Sequence, residues 1–136
     1  MPVIIDEVGV AERAARFKTR SIKNASKFAA LKLTMSMIDL TTLEGSDSPG
    51  KVRQLCAKAR CPDPAHPELP MVAAVCVYPT MVAVARKALA GTSIHVASVA
   101  TSFPSGMSDL KTRIADVRYA VDRKSTRLNS SHANIS

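Results

Sequence analysis

The chain has 136 residues, 46% of them hydrophobic and 22% charged, with a formal net charge of +8. That length allows one ordinary domain, and the composition is globular, not disordered. Aromatic residues amount to 4% and Trp is absent, so a core has to be assembled from Val, Ala, Leu, Ile and Met. No apolar run approaches the ~18 residues of a membrane-spanning helix, and no apolar signal-type segment opens the chain. A cytoplasmic location without a membrane partner is therefore expected.

The positive charge loses its force once it is divided along the chain. Residues 1–30 carry six Lys/Arg against three acids, residues 31–122 ten against eight, and residues 123–136 three against none. The excess sits at the two ends, so no nucleic-acid partner is expected from it. Cys56, Cys61 and Cys76 are an odd number without paired C-x-x-C spacing, which indicates neither a disulfide framework nor a zinc site.

Residues 8–33 read as one or two helices. Arg13, Arg16, Arg20, Lys23 and Lys27 recur at steps of three and four and are expected to share one solvated face, with Ala14, Phe17, Ala25 and Phe28 opposite. A first strand is expected from Thr34 through Asp39, ending in the polar cluster Asp39 to Leu43. Ser48 or Asp47 then caps a helix with Pro49 in its first turn, and Val52, Leu55, Cys56 and Ala59 mark its buried face. Prolines 62, 64, 67 and 70 make the following stretch a loop. Met71 to Tyr78 reads as a strand buried on both faces, Met81 to Ala90 as a helix stopped by Gly91. Ile94 to Ala100 is the third strand and Ser108 to Asp122 the third helix, with Leu110, Ile114, Val117 and Val121 as its buried stripe and an Asp109–Arg113 pair.

Three successive strand–helix units imply an α/β fold with a parallel sheet and right-handed crossovers. No Gly-rich phosphate turn follows the first strand, which disfavours a dinucleotide site. A (β/α)8 barrel takes about 250 residues, so three units amount to part of one, an incomplete barrel. The expected organisation is a helical extension over 1–33, a partial barrel over 34–122, and a polar tail over 123–136. The tail lacks amphipathic period and is similar to translated sequencing-adapter sequence, so it is set outside the fold as non-native or disordered. An open edge is then expected at the third strand, with self-association or loose packing as its consequence.

Chemistry in such a barrel sits at the C-terminal strand ends. Asp39, Thr41, Thr42, Cys76, Tyr78 and Ser102 all fall there and are candidates for one pocket. Each has a plainer reading: the Asp and threonines as turn-capping groups, Cys76 as a core side chain, Tyr78 as rim packing. His66, His95 and His132 are scattered, so neither a His-centred triad nor a metal site is expected.

Asp39-Leu-Thr-Thr-Leu43, Ala73-Ala-Val-Cys-Val-Tyr-Pro79 and Val96-Ala-Ser-Val-Ala-Thr-Ser-Phe-Pro-Ser-Gly106 together resemble the deoxyribose-phosphate aldolase family, from about Leu31 to Asp122. Ser102 stands where many members carry Asn. The resemblance implies a TIM (β/α)8 barrel and a metal-free, cofactor-independent class I lyase of deoxyribonucleotide catabolism. Its small-molecule partners are a phosphosugar and aldehydes, and the intact parent is expected to be a homo-oligomer. A Schiff-base lysine serves there as electron sink for carbon–carbon cleavage. By similarity Asp39 belongs to the polar network beside the reactive lysine, while Thr41, Leu43 and Cys76 line the small-aldehyde side. Lys51, Lys58, Lys87 and Lys111 lie on helices, Lys32 before the first strand and Lys124 in the tail, so none suits the reactive position. The family's lysine pair and proton-shuttling Asp come from later strands, and the 136 residues alone are expected to be inactive. Two alternatives stand beside this reading: another lyase or isomerase on the same barrel, and a non-catalytic module binding anionic surfaces through the basic N-terminal helix.

Overall fold

A computed structural model describes residues 5–123 and the backbone of residues 127–130. Two helices lead in, α1 (Glu7–Lys18) and α2 (Asn24–Met35). They are followed by β1 (Asp39–Thr41), α3 (Pro49–Arg60), β2 (Ala74–Val77), α4 (Val82–Ala88), β3 (His95–Ala100), α5 (Leu110–Asp122) and β4 (Arg127–Ser130). The chain divides after Leu31 into two compact units. None of the described helices is long and apolar enough to cross a membrane.

In the first unit, Asp6 caps α1 by accepting from the Gly9 amide at 3.0 Å, and no residue of the helix is buried. The helix ends at Lys18, where the Thr19 hydroxyl turns back to the Arg16 carbonyl at 2.9 Å. This break corrects the expected basic face. Arg13 and Arg16 ride on α1, Arg20 and Lys23 lie in the connection, and Lys27 rides on α2. Spacing of three and four makes one face only while the helix is continuous.

The start of the barrel portion also differs from expectation. Thr34 and Met35 belong to α2, and β1 begins at Asp39. A short apolar run is compatible with either element. Here the amides of Ser36 and Met37 bond back to Lys32 and Thr34, which extends helical turns to the brink of the strand.

The sheet is parallel throughout and follows chain order, β1-β2-β3-β4. All four residues of β2 are buried, as a strand covered on both faces must be. The crossover helices follow from local signals. Ser48 caps α3 from a β-region backbone, accepting from the Lys51 amide at 3.3 Å, with Pro49 in the first turn where its missing N–H costs nothing. Val52, Cys56 and Ala59 are buried from α3, and Leu55 packs beside them. α4 is shorter than expected, because the Thr92 hydroxyl takes the Leu89 carbonyl at 2.7 Å and Gly91 adopts the left-handed φ of 78°. Together α3 and α4 cover one sheet face through a cluster including Val75, Val77, Val82, Ala85, Leu89 and Val96.

The stripe expected on α5 is not buried. Leu110 is 64% exposed, Ile114 43% and Val121 50%, while Ala120 is fully buried. A periodic apolar face is buried only where another element covers it, and α5 is covered fully at Ala120 and partly at Val117. Asp109 does not serve as an ion-pair partner of Arg113 but as the helix cap, accepting from the Thr112 amide at 3.0 Å and hydroxyl at 2.7 Å.

The backbone of residues 127–130 pairs in parallel with β3, Ala97 opposite Arg127 through Ala100 opposite Ser130. The third strand is therefore not the edge of the sheet, and this part of the tail is neither unstructured nor outside it. An unpaired edge offers amides and carbonyls to any extended segment, whatever its side chains. The remainder of the expected tail, residues 124–126 and 131–136 with Lys124 and His132, lies outside the described residues.

The burial pattern sets a stability contrast. Val77→Ala, at a fully buried site, is expected to lower unfolding free energy by about 2 kcal/mol. Leu110→Ala, on the exposed stripe, should change it by less than about 0.5 kcal/mol. Urea unfolding of both variants checks this, and equal losses would mean that α5 is packed after all.

Candidate active site

Alternation along a strand sends successive side chains to opposite faces. Leu40, Val75, Val77 and Val96 belong to the cluster under the helices. Their neighbours therefore face the other way, and the register lines them up: Thr41 opposite Cys76 opposite Ala97, and Asp39 opposite Ala74 opposite His95. On that second face Cys76, Ala97 and Val99 form a buried cluster with Leu43, Tyr78 and Phe103 packed on it. Thr41, Leu43, Cys76 and Tyr78 are thus brought to one face at the C-terminal ends of β1 and β2. Asp39, expected to close the first strand, instead opens β1 level with the first residues of β2 and β3. Asp39 and Thr41 are exposed and Cys76 is buried.

Cys76 is 3% exposed. Burial, with the nearby Asp39 charge added to it, pushes its thiol pKa up, against a smaller opposing effect of a hydrogen bond with Thr41. The sulfur is held as a neutral thiol, which suits a pocket wall and not a nucleophile. The Thr41 hydroxyl also donates to the Asp39 carbonyl at 3.2 Å, fastening the end of β1 to itself.

Two sequence candidates take other roles. Thr42 is buried, its amide donating to the Cys76 carbonyl at 3.1 Å and its hydroxyl to Asp47 Oδ1 at 2.8 Å. Ser102 is part of a turn. Its amide donates to Asp116 Oδ2 at 3.0 Å, its hydroxyl pairs with that of Ser108 at 2.5 Å, and its carbonyl accepts from Gly106. Thr101 and Ser102 both have left-handed φ, 62° and 59°, a conformation costing side-chain-bearing residues about 1–2 kcal/mol each. Asp116, in the second turn of α5, helps to hold that turn, and nothing in the sequence spacing marks it.

The most connected polar group was visible in the sequence only as a possible helix cap. Asp47 leaves the cap to Ser48 and turns inward, its side chain 4% exposed. It accepts from the Thr42 hydroxyl, from the Glu44 amide at 3.1 Å, and from Lys51 Nζ at 2.9 Å. Lys51 also meets Glu44 Oε2 at 2.5 Å. These two carboxylates raise the pKa of Lys51, the opposite of what a Schiff-base amine needs. The other described lysines lie on helices or in the α1–α2 connection, and none is on a strand. His66 pairs with Glu68 at 3.2 Å and His95 is exposed. Among the described residues no cluster of His, Cys, Asp or Glu could hold a metal ion. A groove of about 760 Å³ runs along α5 past Leu110, Ile114, Arg118 and Tyr119. It is open and apolar, and none of the strand-end candidates lines it.

A parallel sheet with helical crossovers and a polar strand-end rim defines part of a (β/α)8-barrel enzyme. The chain is 43% identical to the deoxyribose-phosphate aldolase of Mus musculus over 138 residues, covering 93% of this chain and 43% of that protein. It is 38% identical to the deoxyribose-phosphate aldolase of Homo sapiens over 136 residues, covering 92% of this chain and 43% of that protein. Among solved structures, a Coccidioides immitis protein assigned to the same aldolases superimposes with a TM-score of 0.62 at 25% identity. That match covers 73% of this chain and 36% of that one. No family model matches the sequence. The chain is similar to deoxyribose-phosphate aldolases over more than nine tenths of its own length, and it spans under half the length of the curated relatives it matches.

The raised thiol pKa predicts the order of a titration. The pH midpoint for alkylation of Cys76 should lie above that of a free thiol, since less thiolate exists at any given pH. Asp39→Asn should move the midpoint down by removing the charge that opposes ionisation. A midpoint unchanged by Asp39→Asn, read by mass spectrometry of alkylated peptides, would contradict the proximity of the two groups.

Proposed function

We propose that the chain supplies the small-aldehyde wall of a class I aldolase that cleaves 2-deoxy-D-ribose 5-phosphate into D-glyceraldehyde 3-phosphate and acetaldehyde. The observation that carries this is the convergence of the family's strand-end motifs on one face, with Thr41 in register with Cys76 and Leu43 packed beside it. An apolar wall of Leu43, Cys76 and Val99 suits a two-carbon aldehyde, which offers methyl surface and a single carbonyl oxygen. Asp39 contributes the nearby carboxylate, at the edge of that wall, where a proton or a lysine ammonium can be held.

Cleavage of this kind requires a lysine amine that condenses with the sugar aldehyde, releasing water, so that the iminium accepts the electron pair of the breaking carbon–carbon bond. The described lysines do not occupy such a position, so the reading assigns that amine to sequence beyond these residues. Under the same reading the enzyme needs no cofactor, works in deoxyribonucleotide breakdown in the cytoplasm, and assembles as a homo-oligomer.

A chimera tests the assignment. Residues 32–122 of this chain, put in place of the matching segment of the Mus musculus relative, should preserve cleavage of 2-deoxyribose 5-phosphate. Asp39→Ala in that chimera should lower kcat/KM by about 100-fold or more. A folded chimera without activity, or an Asp39→Ala variant with full activity, would overturn the proposal.

A further inference from the structure

We infer that Asp47 is the positioning residue of this wall: its carboxylate locks the loop after β1 and so presses Leu43 over Cys76. The meaning of "wall" here rests on the aldehyde reading above, but the mechanical link does not. The loop from Thr42 to Asp47 has no strand or helix of its own to fix it. What fixes it is one carboxylate with three donors from three different places: the Thr42 hydroxyl at the strand end, the Glu44 amide in mid-loop, and the Lys51 ammonium from the first turn of α3.

Thr42 is held from both directions, since its amide also donates to the carbonyl of Cys76. A continuous path therefore runs from Lys51 through Asp47 and Thr42 to the backbone of Cys76, and Leu43 is the next residue along. With the Asp47 carboxylate removed, the buried Thr42 hydroxyl loses its acceptor and the Glu44 amide is released. That leaves the Thr42 amide bond to Cys76 and the Asp47–Glu44 backbone turn to hold the loop that packs Leu43 on the Cys76 cluster. Leaving such groups unpaired is costly, so the loop is driven to rearrange.

The two buried cysteines provide an internal comparison. Cys76 lies on the Leu43 face at 3% exposure, and Cys56 lies under α3 in the other cluster at 1%. Cys61 is exposed and marks complete reaction. The full 136-residue chain is labelled with N-ethylmaleimide over time, and each cysteine is followed by peptide mass spectrometry. In Asp47→Ala, labelling of Cys76 is expected to accelerate about tenfold, with Cys56 unchanged. Thr42→Val, which removes one link and keeps the shape, should accelerate Cys76 alone by a smaller factor, and it serves as the test where Asp47→Ala does not fold. Equal acceleration of Cys56 and Cys76 would mean that Asp47 merely stabilises the whole unit. No acceleration of Cys76 in either variant would mean that Leu43 is held by other contacts. Either result overturns the inference, and neither bears on whether the chimera cleaves the sugar phosphate.

Discussion

A parallel pair of strands has to be joined by a crossover that passes over one face of the sheet, and that requirement organises residues 32–123. Because α3 and α4 lie on one face, the side chains of β1, β2 and β3 split into two sets with different fates. One set, Val75, Val77 and Val96, is sealed under the helices with Val52, Cys56 and Val82. The other set, Thr41, Cys76, Ala97 and Val99, faces away from them and carries the polar strand ends. Placement of the candidate site is thus a consequence of the crossover and not an independent feature. The in-register pairing of Asp39, Leu40 and Thr41 with Ala74, Val75 and Cys76 puts two of the resembling motifs side by side.

The parts of this arrangement that were legible in the sequence are those governed by local chemistry. The cap at Ser48, the proline in the first turn of α3, the all-apolar run of β2 and the left-handed stop at Gly91 each have a near-neighbour cause. The parts that were not legible depend on what covers what. Leu110, Ile114 and Val121 have the spacing of a buried stripe, yet nothing among the described residues seals them. Likewise the steps of Arg13, Arg16, Arg20, Lys23 and Lys27 fit one face only if the helix does not stop, and it stops at Lys18. The boundary before β1 failed for a third reason, since three apolar residues, Met35, Met37 and Ile38, satisfy a helix and a strand equally well.

The site shows the same division. Thr41, Leu43 and Cys76 could be placed together because C-terminal strand ends of a parallel sheet share a rim, whereas Asp39 opens β1 and shares their face through alternation. Thr42 could not be separated from Thr41 by spacing alone. It took the alternation of the strand to send one hydroxyl to the open face and the other to Asp47. Asp47 itself sits five residues from Thr42 and one from the helix cap, so its inward turn is a tertiary fact. The tail posed the opposite problem: its side-chain pattern carries no strand signal, while its backbone pairs with the edge of β3 all the same.

The proposed function separates a wall built from Leu43, Cys76 and Val99 from the amine that would carry the covalent chemistry, a position that none of the described lysines suits. Lys51 makes the point in physical terms, because two carboxylates hold it as an ammonium. Borohydride reduction of the 136-residue chain with acetaldehyde, followed by peptide mapping, tests this most directly. No lysine should be ethylated faster than an ordinary exposed amine, and Lys51, held as an ammonium, should react more slowly than that. One lysine labelled far ahead of the others would show that the reactive amine is already present, and would contradict the separation.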